Sequence, residues 1–276
     1  MAQNQLAKMS DQQIRDEPIA GTRFIQQWTS EDGKRKRYYC AYLPKGWKRP
    51  ENHDKARWPV ILFIHGHGEC GASLEDAKKI ISHCSLLGGA DLRNQDFIII
   101  APQFIAEELA PLGQGVFDSP SWKKCKSDVV QILKEAEDRY DADLKSACLT
   151  GVSLGGCAAW DLGADQPGGI KWAAVAPFAG RGDTSRAAEL VKTPVWAFVN
   201  EDDEKQHPNL YSGTVTMVKA IRKQGGQPRE TVWSKGKYEC TAHNCWEYVF
   251  ADDSKDDKGN PVRLYEWFKE NTASEK

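Results

Sequence analysis

Leu149–Trp160, LTGVSLGGCAAW, decides how this 276-residue chain reads. Ser153 stands between Gly151 and Gly155, with Gly156 directly behind them. A serine that turns the backbone from a strand straight into a helix needs small neighbours, because larger ones would collide across the sharp bend. The same five letters also fit an ordinary strand-to-helix connection in which the serine is merely small. The flanking residues favour the sharp turn: Ala147–Thr150 is an apolar run of strand type, and Cys157–Leu162 carries a helical pattern.

The rest of the chain extends that pattern in both directions. Arg37–Leu43 (RYYCAYL) alternates like a half-buried strand. Pro59–Ile64 (PVILFI) and Phe97–Ala101 (FIIIA) are unbroken apolar runs, as strands buried on both faces are. Trp172–Ala176, Val195–Val199 and the shorter Glu230–Trp233 read the same way. Helical periodicity lies between them. Val129, Ile132, Leu133, Ala136 and Tyr140 share one face, and Leu210, Met217, Val218 and Ile221 share another that stops at Gly225-Gly226. A last helix is expected to start at Pro261 and to carry Val262, Leu264, Tyr265, Trp267 and Phe268. Strands alternating with helices predict an α/β fold, a mainly parallel sheet with helices on both faces. No repeat or low-complexity linker divides the chain. It reads as an N-terminal tail with a possible edge strand (1–36) and a single domain (37–276), whose rhythm is broken by a loop or small cap at 105–121.

Composition narrows the classes of function. The net charge is -2, so neither a nucleic acid nor a charged membrane surface is an expected partner. No apolar stretch approaches the length that spans a bilayer. The polar start, MAQNQLAKMSDQQIRDEP, has no apolar signal core, so the chain as written reads as cytoplasmic; a secreted protein written without its signal would read identically. Eight cysteines show no CxxC pair, which speaks against zinc and redox motifs. Most read as small buried hydrophobes, while Cys240 and Cys245 would form a bridge only in an oxidising compartment.

A serine hydroxyl is a weak nucleophile unless a base takes its proton and an acid orients that base. Two histidines follow Ser153. His243 lies in the polar stretch Tyr238–Trp246, after the last strand pattern and before the last helix, where a base would emerge. His207, beside Pro208, reads as a surface or cap residue. Glu201, Asp202, Asp203 and Glu204 follow the strand Val195–Val199, at the edge where functional groups of open α/β sheets gather. Such an acidic run is also what a solvated turn looks like. Developing negative charge needs backbone N–H donors. Leu154 offers one, and His67, in the glycine-rich turn His65-Gly-His-Gly-Glu69, offers the other. His65, His67, Glu69 and Cys70 are metal-ligand types, but no second cluster completes a site, so neither metal nor cofactor is expected. Of the ten tryptophans, Trp122 and Trp246 fall on loops at this edge, where flat rings suit a sugar or an aryl group.

Together these pieces resemble the α/β-hydrolase superfamily. More narrowly they resemble its esterase branch of dienelactone-hydrolase-like, polyhydroxybutyrate-depolymerase-like and feruloyl-esterase-like proteins, related to the prolyl-oligopeptidase catalytic domain. The similarity runs from about Tyr38 to Phe268. It rests on an HGxGE-G turn (His65–Gly71), an APQ strand end (Ala101–Gln103) and a tryptophan before a long helix (Trp122). It rests also on G-x-S-x-G-G (Gly151–Gly156), an H-G-x-x-D acid loop and a GH-x-x-W base loop. Val199-Asn200 replaces His-Gly in the acid loop, and Ala242 replaces glycine before His243. The resemblance implies Ser153 as nucleophile and His243 as base. It favours Asp203 as acid, with Asp202 the alternative, and places Gln103 with Trp122 and Trp246 as pocket candidates. The implied activity is hydrolysis of short-chain, aryl or sugar-linked esters, feruloyl and acetyl esters among them. A small-molecule or carbohydrate-linked ester is the expected partner. A serine peptidase would use the same residues, and a non-catalytic binding module of this fold would need a broken triad.

Overall fold

The unbroken apolar runs become strands because both of their faces are covered. The computed structural model describes residues 14–15, 18–49, 57–83, 85–88, 96–104, 121–237 and 241–273. Most of the expected 105–121 insertion, Cys84, Cys240 and the side chain of Trp122 lie outside them. The strands are β1 (Ile14–Arg15), β2 (Arg23–Thr29), β3 (Lys36–Tyr42), β4 (Trp58–Ile64), β5 (Ile98–Pro102), β6 (Ala142–Val152), β7 (Trp172–Phe178), β8 (Trp196–Asn200) and β9 (Arg229–Trp233). The helices are α1 (Leu74–His83), α2 (Ser85–Gly88), α3 (Ser121–Tyr140), α4 (Leu154–Asp165), α5 (Asp203–Gln206), α6 (Leu210–Lys223), α7 (Trp246–Phe250) and α8 (Leu264–Ala273).

Among the described residues, nine strands join one sheet in the order β1-β2-β3-β5-β4-β6-β7-β8-β9. β3 runs antiparallel to both of its neighbours, β2 and β5. The remaining pairings are parallel. All seven strands expected from the sequence are present. β2 comes from the segment read as a tail with a possible edge strand, and it pairs with β3 along its whole length, from Arg23 opposite Tyr42 to Thr29 opposite Lys36.

Side chains alternate across the sheet, so each strand supplies two cores. From β4, Val60, Leu62 and Ile64 enter the core under α3, α4 and α6, beside Val129, Leu133, Trp160 and Val218. Ile61 and Phe63 enter the opposite core, under α1 and α8, beside Ile80, Trp267 and Phe268. Each such aliphatic or aromatic side chain contributes about 1.5–3 kcal/mol when fully buried. No polar position could be tolerated in β4, which is why it shows no alternation. An ion pair is buried at the α3 side: Asp128 accepts from Arg37 Nε at 2.6 Å and also pairs with Arg35, tying α3 to β3. No helix among the described residues is long and apolar enough to cross a membrane.

The closing helix differs from its expected start. Pro261 forms an isolated antiparallel bridge with Lys255, and Val262 N–H donates to Ser254 O at 2.9 Å. The chain is therefore extended at Pro261, and α8 begins at Leu264. Proline's fixed φ suits extended backbone as well as a first helical turn, so the residue alone does not choose between them.

Candidate active site

β6 ends at Val152, Ser153 follows with φ 55° and ψ -115°, and α4 starts at Leu154. Positive φ is uncommon outside glycine and is retained only where the surroundings enforce it. Here Ser153 N–H donates to Phe178 O of β7 at 2.9 Å, and Ser153 O accepts from Cys157 N–H at 3.0 Å. The glycines give the turn its room. A Cβ on Gly151 would lie 2.2 Å from Gly155 O, and one on Gly155 would lie 2.1 Å from Ile64 O at the end of β4. Leu154 is the first residue of α4, where a backbone N–H has no acceptor inside its own helix. Cys157, one turn on, has its thiol pushed up to about 12 by burial, so it stays protonated and is no second nucleophile.

The acid loop follows β8. Asn200 Oδ1 accepts from Asp202 N–H at 2.8 Å, Asn200 Nδ2 donates to Lys237 O at 3.2 Å, and Glu201 N–H donates to Trp233 O at 2.9 Å. Asn200, a departure from the resembled His-Gly, thus has a job: its amide braces the loop from both sides. Asp202 turns its carboxylate to Lys205 and to Gly236 N–H. Asp203, the first residue of α5, is fully buried and faces the other way.

His243 comes from the loop before α7, where Cys245 N–H donates to His243 O at 2.9 Å. Its Nδ1 lies 2.9 Å from both Oδ1 and Oδ2 of Asp203, and its Nε2 lies 3.0 Å from Ser153 Oγ. An ionised carboxylate only accepts, so Nδ1 carries the proton and Nε2 presents a lone pair to the serine hydroxyl. The structure therefore brings Ser153, His243 and Asp203 into one hydrogen-bonded line and leaves Asp202 outside it.

Other expectations fall differently. His65 is buried; its Nδ1 donates to Gly66 O at 2.6 Å and its Nε2 accepts from Phe104 N–H at 3.1 Å. Burial holds its pKa below the ordinary histidine value, and both ring nitrogens are engaged by backbone, which removes it from any metal-ligand role. His67 is exposed on the turn 67–69, and a Cβ on Gly66 beside it would sit 3.7 Å from Ser153 Cβ, so this turn lies against the serine. Gln103 is buried, and its amide nitrogen donates to Glu69 O, bracing the same turn from β5. Trp246 is buried with its ring set edgewise to His243, centroids 5.1 Å apart at 83°. Its face is not an open platform.

His207 is the C-cap of α5, as the surface-or-cap reading has it, but its side chain belongs to the site, which the sequence did not show. It is not a detached surface group: its Nδ1 lies 2.8 Å from Asp203 Oδ1, and its ring stacks on His243 with centroids 3.8 Å apart at 29°. The signal was the i, i+4 spacing from Asp203, which returns a side chain to the same face of one helical turn. Asp203, His207 and His243 place ligand-type atoms within 4.8 Å of one another. The stacked rings run side by side, however, and both Nδ1 atoms already donate to the carboxylate. Each Nδ1 lies within hydrogen-bonding distance of Asp203 Oδ1, and those two bonds account for the grouping.

No protein-family model and no curated protein matches the chain. Solved structures do. A thermostable esterase is similar with a TM-score of 0.67 and 22% identity over 88% of this chain, which spans only 61% of that longer one. A ferulic acid esterase is similar with a TM-score of 0.62 and 18% identity, covering 92% of this chain and 99% of that one. Fluorophosphonate-binding serine hydrolase F of Staphylococcus aureus is similar with a TM-score of 0.58 and 11% identity, covering 91% and 99%. With strands in the order given above, β3 reversed and a sharp serine turn after β6, this chain has the α/β-hydrolase fold.

Proposed function

We propose that the protein is a serine carboxylic-ester hydrolase working through an acyl-enzyme. The observation that carries this reading is the unbroken line from Ser153 Oγ through His243 to the buried Asp203, at 3.0 and 2.9 Å, set on a serine held at positive φ. As Ser153 Oγ attacks an ester carbonyl, His243 Nε2 takes its proton, and the imidazolium that forms is stabilised by Asp203. The N–H groups of Leu154 and His67 receive the developing oxyanion. His243 then protonates the departing alkoxide and the alcohol leaves. Water, deprotonated by the same imidazole, attacks the acyl carbonyl and frees the acid together with the serine.

Substrates in this proposal are short-chain, aryl or sugar-linked esters, a class supported by likeness to a ferulic acid esterase and a thermostable esterase. A panel of p-nitrophenyl acetate, p-nitrophenyl butyrate, methyl ferulate and acetylated xylan, run on the wild type and Ser153→Ala, tests it. Wild-type turnover that falls to background in the variant is expected, together with fluorophosphonate labelling lost in the same variant. Ser153→Ala turning over esters at the wild-type rate would remove the assignment, and cleavage of peptide anilides without any ester would transfer it to a peptidase.

A further inference from the structure

We propose that His207 is a positioning residue for this centre, a second imidazole that holds the Asp203 carboxylate in the plane that His243 needs; the inference rests on the triad reading above. Asp203 is fully buried, and among the described residues its carboxylate is bonded by two imidazoles. Oδ1 accepts from Nδ1 of His207 at 2.8 Å and from Nδ1 of His243 at 2.9 Å, while Oδ2 accepts from His243 alone. A carboxylate held only by His243 could turn about its terminal torsion, which is broad for aspartate. The donor from His207 is a second hold on Oδ1 that opposes this rotation, so that both oxygens stay on His243 Nδ1.

The backbone supports the arrangement. His207 N–H donates to Asp203 O at 2.7 Å, closing the single turn of α5 and returning the ring to the carboxylate of the residue that started it. The ring then lies face-on to His243, and Trp246 meets His243 edge-on from its own helix. The base is thus held in its plane while its two nitrogens serve Ser153 and Asp203. His207 bonds the acid and stacks on the base, and its role is to act through both.

Two substitutions separate the donor from the packing. His207→Phe keeps a flat ring and loses the N–H. His207→Asn loses the ring and keeps an amide N–H near the place of Nδ1. With p-nitrophenyl butyrate, His207→Phe should lower kcat about five- to tenfold with KM unchanged, the size of one lost hydrogen bond, and His207→Asn should recover most of it. Proton NMR of the wild type should show two low-field Nδ1–H resonances, of which His207→Phe removes one. Undiminished kcat in His207→Phe, equal losses in both variants, or a rise in KM in place of the fall in kcat would each overturn the proposal. Wild-type turnover no greater than that of Ser153→Ala would overturn the esterase reading as well. A Ser153-dependent wild type with a fully active His207→Phe overturns this inference alone.

Discussion

Replacing Gly155 by alanine should separate the geometry of the serine turn from its chemistry. A Cβ at this position would lie 2.1 Å from Ile64 O and 2.6 Å from His65 O. Both are backbone atoms of the β4 end, so neither can swing away as a side chain would. Relief requires the first turn of α4 to withdraw by about 1 Å, and an active-site displacement of that size costs about 10²-fold in rate. Ser153 is joined directly to this turn. Its 3.0 Å bond to His243 Nε2 would lengthen to about 4 Å, past hydrogen-bonding range. Overpacking of this kind costs about 1–3 kcal/mol, and alanine's better helix propensity returns at most about 1 kcal/mol of it. Gly163→Ala, in the same helix, is the control. Its Cβ would meet only Val175 and Leu190 side-chain atoms, at 3.2 to 3.4 Å, which have room to adjust. Urea unfolding and p-nitrophenyl butyrate turnover, measured on both variants, should show a lower midpoint and about 10²-fold lower kcat for Gly155→Ala, with Gly163→Ala near wild type in turnover. Wild-type turnover in Gly155→Ala, or equal losses in the two variants, would refute the claim that close contact with β4 places the serine.

Asp203→Asn should reduce kcat by on the order of 10⁴-fold, because an amide no longer enforces the Nδ1–H tautomer of His243. Asp202→Asn, whose carboxylate faces Lys205 and Gly236, should stay within about twofold of wild type; a larger loss at Asp202 than at Asp203 would reverse the assignment of the acid. His65→Leu should cost about 1–3 kcal/mol in unfolding experiments, since Gly66 O and Phe104 N–H would each lose the imidazole hydrogen bond in a buried site. His65 also makes stability depend on pH. Burial depresses its folded-state pKa, so below about pH 6.5 the unfolded chain takes up a proton that the folded chain refuses. Stability should therefore fall as pH drops from 7 towards 5, with a slope that is shallower in His65→Leu; an identical slope in the two proteins would show that His65 is not its source.

How much of this was legible before the structure depends on whether a feature is local. Strands buried on both faces announce themselves, because β4 and β5 have no solvent face on which a polar residue could sit. The serine turn was legible for a similar reason: Gly151, Gly155 and Gly156 record contacts with neighbouring backbone that any Cβ would break. β2 was only half visible. Arg23–Thr29 is RFIQQWT, whose polar positions suit a strand with one partly open face but do not alternate strictly, and only its pairing with β3 makes it one. The acid needed more than the run Glu201–Glu204 offers, since all four residues have the right chemistry. What selects Asp203 is the direction in which a one-turn helix points its first side chain, and Asn200 and Trp233 set that direction from outside the run.

His207 lay beyond the reach of a reading that searched for one base. With His243 in that role, the second histidine reads as a surface or cap residue; it is the C-cap of α5, and its side chain serves the acid besides. Its spacing from Asp203 was informative only in combination with two facts that the sequence does not contain: that α5 stops after one turn, and that the Asp203 side chain is buried against His243 rather than solvated. With those in hand the geometry is nearly forced. A residue four positions past a buried acid at a helix start lies over that acid, and a histidine there meets a carboxylate that has acceptor sites to spare. An apolar residue at 207 could fill the same space, but it would leave Oδ1 with the His243 bond alone.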